Sequence, residues 1–142
     1  MKMADDTIHI LLVEDDEVDV MNVKRAFRKN NIVNPLTVAN NGVEALLTLR
    51  EAIAQGDNPF KVVILDLNMP KMGGIEFLKE IRADPVLKSL SVFVMTTSNE
   101  ESDKIAAYDL NIAGYIVKPL SFENFVQAIS ILKHYWQLCE RP

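Results

Sequence analysis

Val62-Val63-Ile64-Leu65-Asp66-Leu67-Asn68-Met69-Pro70 is the stretch on which the reading of this chain turns. Four consecutive apolar residues, three of them β-branched, are about strand length and show no polar alternation. Such a run predicts a strand covered on both faces, as in a parallel sheet. An aspartate follows at once, and then a turn.

The same grammar repeats outward from this point. Upstream runs at Ile8–Val13 and Leu36–Ala39, and downstream runs at Ser91–Met95 and Ala113–Val117, predict four more strands. Helical patterns lie between them. The first covers about Glu17–Lys29, with Val20, Val23 and Phe27 on one face. The second covers about Gly42–Gln55, opened by the Asn40-Asn41-Gly42 turn. The third, about Ile75–Asp84, should stop near Pro85, because the residue before a proline disfavours helical backbone. The fourth covers about Asn99–Leu110, with Ser98 and Glu101 at capping-box spacing. The fifth covers about Phe122–Leu138, capped by Ser121. Five β-α units predict an α/β fold: a doubly wound five-stranded parallel sheet with helices on both faces and right-handed crossovers.

Ligands of such folds bind outside the carboxyl ends of the strands. Strand one runs into Glu14-Asp15-Asp16-Glu17. Strand three runs into Asp66-Leu67-Asn68, strand four into Thr96-Thr97-Ser98, and strand five into Lys118-Pro119. Acids from two neighbouring strands, a hydroxyl and an ammonium are thus expected on one rim. Clustered carboxylates repel unless a cation sits among them, and Mg²⁺ favours oxygen ligands and phosphate oxygens. A carboxylate can attack phosphorus to form an acyl phosphate, and cationic and hydroxyl donors can hold the charge of the transferred group. Each residue also has an ordinary explanation. Acids favour helix N-termini, Asp66 can cap a turn, Thr96 suits a strand, and lysines usually lie at the surface. It is the convergence of all four on one edge that argues for a site.

Composition narrows the classes. The 142 residues fit one domain and can bury roughly two-thirds of their unfolded surface without staples. Hydrophobic residues make up 49% and charged residues 25%, the balance of a soluble globule. A net charge of −5 argues against non-specific binding to nucleic acid or to an anionic membrane. Cys139 is the single cysteine, so no internal disulfide is possible, which suits a reducing cytoplasm. The N-terminus carries no apolar stretch of signal-peptide type, and no apolar run is long enough to span a bilayer.

Leu12-Val13-Glu14-Asp15-Asp16, the segment from Asp66 to Gly74, Thr96, and the segment from Gly114 to Pro119 together resemble response-regulator receiver domains of two-component signalling. The resemblance spans about residues 8 to 138 and implies a flavodoxin-like fold. It implies Asp66 as phosphoacceptor, and Asp15 as a ligand of Mg²⁺ together with Asp66. Glu14 would hold the metal or a metal-bound water, and Asn68 would offer its backbone carbonyl. Thr96 matches the switch hydroxyl, Lys118 the lysine that contacts the phosphoryl group, and Tyr115 the aromatic that changes rotamer on activation. Lys118-Pro119 would be a cis peptide, which is accessible because X–Pro bonds adopt cis cheaply. Thr97 stands where a smaller alanine is frequent and is expected to narrow access to Asp66. Asp19 continues the acidic run one turn into the first helix, where it either faces the site or is a solvated first-turn acid.

The chain is therefore expected to be a single receiver domain over 1–142, without an output domain, acting as a cytoplasmic switch and not as an enzyme. Its phosphoryl donor would be a sensor histidine kinase or a histidine phosphotransfer protein, and direct DNA binding is not expected. In the fifth helix Phe122, Phe125, Val126, Ile129, Leu132 and Trp136 share a broad core face. Ile131, Tyr135 and Leu138 form a second stripe nearly opposite, expected to be a partner surface, most simply that of a homodimer. The connection Glu51–Lys61 reads as rather long. With the Tyr135-Trp136 tail it resembles the small regulators paired with bacterial phytochromes. Two other classes make different demands on these residues. A phosphorylation-independent docking module would fit an incomplete acidic pocket, and none of the main positions is missing. A nucleotide- or flavin-binding protein would want a glycine-rich loop after strand one, where this chain has Glu14-Asp15-Asp16.

Overall fold

The computed structural model describes residues 8–56, 58–118 and 121–138. Five strands, β1 (His9–Val13), β2 (Leu36–Ala39), β3 (Phe60–Leu65), β4 (Ser91–Thr96) and β5 (Gly114–Val117), alternate with five helices. These are α1 (Glu17–Lys29), α2 (Gly42–Ala54), α3 (Gly74–Ala83), α4 (Glu101–Asp109) and α5 (Phe122–Leu138), and a short 3₁₀ turn spans Leu87–Ser89. All pairings are parallel, in the order β2-β1-β3-β4-β5. The chain leaves β1 in one direction to make β2 and returns on its other side to make β3. The strand order therefore reverses at β1 and β3, and it is there that a crevice opens at the carboxyl edge.

Alternate side chains of the strands serve two cores. Ile10, Leu12, Val62, Ile64, Phe93 and Met95 pack under α1 and α5 against Val23, Phe27, Phe125, Ile129, Leu132 and Trp136. Leu11, Val13, Val63, Leu65, Val92 and Val94 face α2, α3 and α4, meeting Leu46, Leu49, Phe77, Leu78, Ile81 and Ala107. This is why the central strands read as unbroken apolar runs: both faces are covered.

Local chemistry sets the helix ends. Asp16 caps α1, its side chain accepting from the amides of Val18 and Asp19 at 2.9 and 3.1 Å. Asn41 caps α2 by accepting from Glu44 N at 2.9 Å, and Ser121 Oγ accepts from Asn124 N at the start of α5. The expected capping box of α4 does not form. Glu100 is the N-cap residue and makes no side-chain cap bond, while the Ser98 hydroxyl donates to Asp103 instead. The capping spacing is present, but α4 starts at Glu101, so Ser98 lies two residues before the N-cap; its Oγ accepts from Glu100 N at 3.5 Å and donates to Asp103.

Two further readings change. Helix α2 runs to Ala54 and β3 starts at Phe60, so the connection is confined to residues 55–59 and is not long. Lys61 is exposed, which masked the first turn of the strand as loop. The cis bond expected at Pro119, and Cys139, lie outside the described residues.

Gly74 is required where it stands. A Cβ there would lie 2.6 Å from the Asp66 carbonyl oxygen and 2.7 Å from Leu67 Cα. Only a glycine lets the start of α3 sit against the turn that follows β3, and its amide donates to Leu67 O at 3.1 Å. The loop carrying Asp66 and Asn68 is thereby pinned from both ends.

Candidate functional site

The strand ends deliver the expected side chains to one place. Glu14 and Asp66, both buried, follow β1 and β3. The exposed Asp15 completes a set of three carboxylates whose oxygens lie within 4.8 Å of one another. Backbone bonds fix the two strand ends. Asp66 N donates to Val13 O at 3.0 Å, and Glu14 N donates to Ala39 O at 2.9 Å. Asp66 Oδ1 accepts from Asn68 N at 3.3 Å, which curls the turn over the carboxylate.

Thr96, at the end of β4, is fully buried. Its hydroxyl oxygen accepts from Leu67 N at 3.4 Å and from Ser98 N at 3.3 Å, so it lies beside the peptide that follows Asp66. Lys118 is held by its own amide, which donates to Thr96 O at 2.7 Å. Its ammonium reaches across to Glu14 Oε1 at 2.8 Å and Asp19 Oδ2 at 2.6 Å. Tyr115, on β5, leans toward α4, and its hydroxyl donates to Ser98 O at 2.9 Å. Asn68 Nδ2 donates to Thr97 Oγ1 at 3.2 Å, so these two exposed side chains meet across the mouth of the site.

The electrostatics match the crowding. Burial, reinforced by the charge of Asp66, lifts the Glu14 carboxyl from 4.5 to about 7, although the hydrogen bond from Lys118 pulls the other way. Burial opposes the charge on Lys118. Its hydrogen bonds to Asp19 and Glu14 outweigh that, and the ammonium is held above the ordinary lysine range. A rim with buried like charges, one of them raised toward neutrality, suits a divalent cation with oxygen ligands. The donor set of Glu14, Asp15 and Asp66 therefore fits Mg²⁺.

This geometry has counterparts among known proteins. The response regulator receiver domain model matches residues 10–130. The chain belongs to the response-regulator receiver family. This receiver is 35% identical to a probable methanogenesis regulatory protein, FilR2, of Methanothrix harundinacea, across 94% of this chain and 86% of that protein. It is 33% identical to response regulator Rcp1 of Synechocystis, across 89% and 87% of the two chains. The crystal structure of the phosphorylated cyanobacterial phytochrome response regulator RcpA superposes with a TM-score of 0.84 at 32% identity, covering 95% of this receiver and 98% of that chain. The Mn²⁺-bound form of Rcp1 superposes with a TM-score of 0.81 at 30% identity, covering 95% and 99%. The likeness to regulators associated with phytochromes, read from a loop and an aromatic tail, thus holds, although the loop is shorter than expected.

Three features of the site went beyond the sequence reading. Asp19 faces Lys118 and is not a solvated first-turn acid. Its position three residues after the Asp16 cap was the available signal, since the cap fixes which way the first turn of α1 points. The Asn68–Thr97 contact joins two loops that are distant in sequence, and no spacing rule could have found it. The second stripe of α5 is exposed as expected, with Ile131 and Leu138 68% and 82% exposed, but the Tyr135 ring, 40% exposed, also packs edge-on against Phe93 with centroids 5.0 Å apart. Tyr135 is the flank of the core face, placed within reach of β4 by the length of its side chain.

Proposed function

We propose that this receiver takes a phosphoryl group onto Asp66 from a phosphohistidine of a sensor kinase or histidine phosphotransfer protein. The observation that carries the reading is the buried Asp66 carboxylate within 4.8 Å of Glu14 and Asp15, with the Lys118 ammonium on the same rim. An Asp66 oxygen forms the new bond to phosphorus while the phosphorus–nitrogen bond of the donor breaks, and the histidine leaves with the electron pair. Asp15, Asp66 and the Asn68 carbonyl would hold Mg²⁺, with Glu14 assisting. The ion supplies positive charge to balance the carboxylates and the phosphoryl oxygens.

The protein's own groups do the rest. The Asn68 amide and the pinned turn orient Asp66 for attack. Lys118 and the Thr96 hydroxyl each offer a hydrogen bond to a phosphoryl oxygen. As Thr96 turns to that oxygen, its bonds to Leu67 and Ser98 rearrange, and Ser98 carries the partner of the Tyr115 hydroxyl. The readout is the face made by α4, β5 and α5. The chain acts as a switch and not as an enzyme, and it works in the cytoplasm without contacting DNA directly. Among the described residues no helix is long and apolar enough to cross a membrane.

On that face the exposed Ile131 and Leu138, with Tyr135 between them, favour a homodimer. If the dimer prefers the phosphorylated conformation, phosphorylation tightens it by the same factor. Sedimentation with and without phosphodonor should show association that Ile131→Asp weakens; a monomer throughout would remove the dimer from the reading.

The central test is intact-mass spectrometry with a small phosphodonor and Mg²⁺. One phosphoryl adduct is expected, lost in Asp66→Asn. An adduct that persists in Asp66→Asn, or none in wild type, would overturn the assignment.

A further inference from the structure

The proposed chemistry leaves one carboxylate without a task. Asp19 sits in the first turn of α1, and its Oδ2 lies 2.6 Å from Lys118 Nζ, closer than the 2.8 Å of Glu14 Oε1. The Lys118 side chain is 4% exposed and that of Asp19 is 23% exposed. Among the described residues the ammonium forms ion pairs with these two carboxylates and not with Asp66.

Both residues are placed independently of the lysine. Asp19 N donates to Asp16 Oδ1 at 3.1 Å, so the cap of α1 fixes the backbone from which the Asp19 carboxylate extends. Glu14 Oε2 accepts from Asp16 N at 3.2 Å. The lysine therefore reaches a place already built, drawn toward α1 and already neutralised. An acid in a first helical turn needs no partner, because the helix dipole favours it there. A short bond to a buried ammonium is more than that preference requires.

An ammonium has three N–H donors, and two are committed here. Glu14 belongs to the same carboxylate cluster as Asp15 and Asp66; Asp19 does not. A cation that draws on Glu14 leaves Asp19 as the group that still holds the lysine.

We infer that Asp19 is a positioning residue: it holds Lys118 at rest and is exchanged for a phosphoryl oxygen on Asp66, so that it weakens the grip of the site on the phosphoryl group. This rests on the reading of Asp66 as phosphoacceptor. Asp19 touches neither the reacting carboxylate nor the phosphoryl group and acts through Lys118 alone.

The test is a titration with beryllofluoride, an analogue of the phosphoryl group, at saturating Mg²⁺, followed by ¹⁹F NMR of the bound form. Asp19→Asn should tighten binding on the order of three- to tenfold, the size of one net competing hydrogen bond, since the carboxylate is partly exposed to water. Asp19→Glu keeps the charge and should stay near wild type. Removing any negative charge near an anion favours binding, so the decisive comparison is made without the lysine. In a Lys118→Met background Asp19→Asn should have no effect. An equal gain in both backgrounds, or no gain in either, overturns the inference. The Lys118 ammonium ¹⁵N signal gives a second reading that needs no ligand. It should be protected from exchange in wild type and lost in Asp19→Asn, and an unchanged signal counts against the proposal. If wild type binds no beryllofluoride, or Asp66→Asn binds it equally, the phosphoacceptor reading falls and takes this inference with it. Normal binding with no Lys118-dependent effect of Asp19 sinks this inference alone.

Discussion

Ile64 and Asp66 are two residues apart, and both are buried. Ile64 lies between apolar neighbours on the α1–α5 side of the sheet, where every contact adds to stability. Asp66 lies among Glu14, Asp15 and Lys118, where a like charge is only partly compensated. The interior of the sheet and its carboxyl rim are made by the same strands yet push in opposite directions. The interior supplies the stability that lets the rim hold an arrangement that is unfavourable without a cation. The two cores cover opposite faces of the same strands, so the strand ends are fixed and the rim keeps its charges together.

The largest effect expected of this contrast lies in the interior. Leu132, buried on α5, should cost about 2–5 kcal/mol when truncated to alanine, through lost burial and the cavity left behind. Ile105 on α4 is 55% exposed, and Ile105→Ala should stay within about 0.5 kcal/mol. Urea denaturation of both variants measures the difference. Equal losses would mean that α4 is seated as firmly as α5, against its single buried side chain, Ala107.

At the rim the sign depends on pH. The Glu14 carboxyl is raised from 4.5 to about 7, so between those values the folded protein binds more protons than the unfolded chain. Stability of the metal-free protein should therefore fall as pH rises from about 4.5 to about 7, by about 2–3 kcal/mol, and level off above. Glu14→Gln should flatten that slope, and Mg²⁺ should restore stability at the high-pH end of wild type. Urea midpoints across this range, with and without Mg²⁺, are the measurement. A slope that survives Glu14→Gln would place the uncompensated charge elsewhere.

A smaller effect of unusual sign is expected from Asp66→Asn. The substitution removes the charge that faces Glu14 and keeps the shape of the side chain. Without metal it should raise stability by about 0.5–1.5 kcal/mol at pH 8. Thermal unfolding in chelator checks this, and a destabilised variant would show that the rim is not under repulsion.

How far the sequence could be read follows the same division. Elements whose identity rests on apolar period were plain: the interior strands, and α1, β2 and α5 with the expected bounds. The errors arose where one side chain had two uses. Lys61 is an exposed residue in a strand, and it hid the start of β3. Ser98 has the spacing of a cap and bonds Asp103 instead. Tyr135 has the helical phase of a surface stripe but is long enough to reach Phe93. At the rim, the residues that converge were legible because each ends a strand, and strand ends share one edge in a parallel sheet. The pairing between them was not. The Asp16 cap tells which way Asp19 points, but that Lys118 reaches both Glu14 and Asp19 depends on distances between loops, which no local pattern encodes.

The smallest energetic effect concerns the hinge between these regions. Thr96 is the last residue of β4, fully buried like the interior, yet its hydroxyl belongs to the rim. Its bonds from Leu67 N and Ser98 N are long, at 3.4 and 3.3 Å, so little stability resides in them. Thr96→Val keeps the volume and the β-branch, and it should cost about 0.5–1 kcal/mol. Its effect on signalling should be much larger than that figure suggests. The Ser98 amide bonds the Thr96 hydroxyl and the Ser98 carbonyl accepts from the Tyr115 hydroxyl, so one residue links the acidic rim to β5. A valine at position 96 cannot accept from the Ser98 amide, so the first of these two links is cut. The phosphoryl adduct should still form on Asp66, because the carboxylate and the acidic cluster are untouched, while the phosphorylation-dependent chemical shifts at Ser98 and Tyr115 should vanish. Amide and aromatic NMR of wild type and Thr96→Val, each with its adduct confirmed by mass, decides the matter. Normal shifts at Tyr115 in the variant would mean that the signal leaves the rim by another route, through Lys118 and β5.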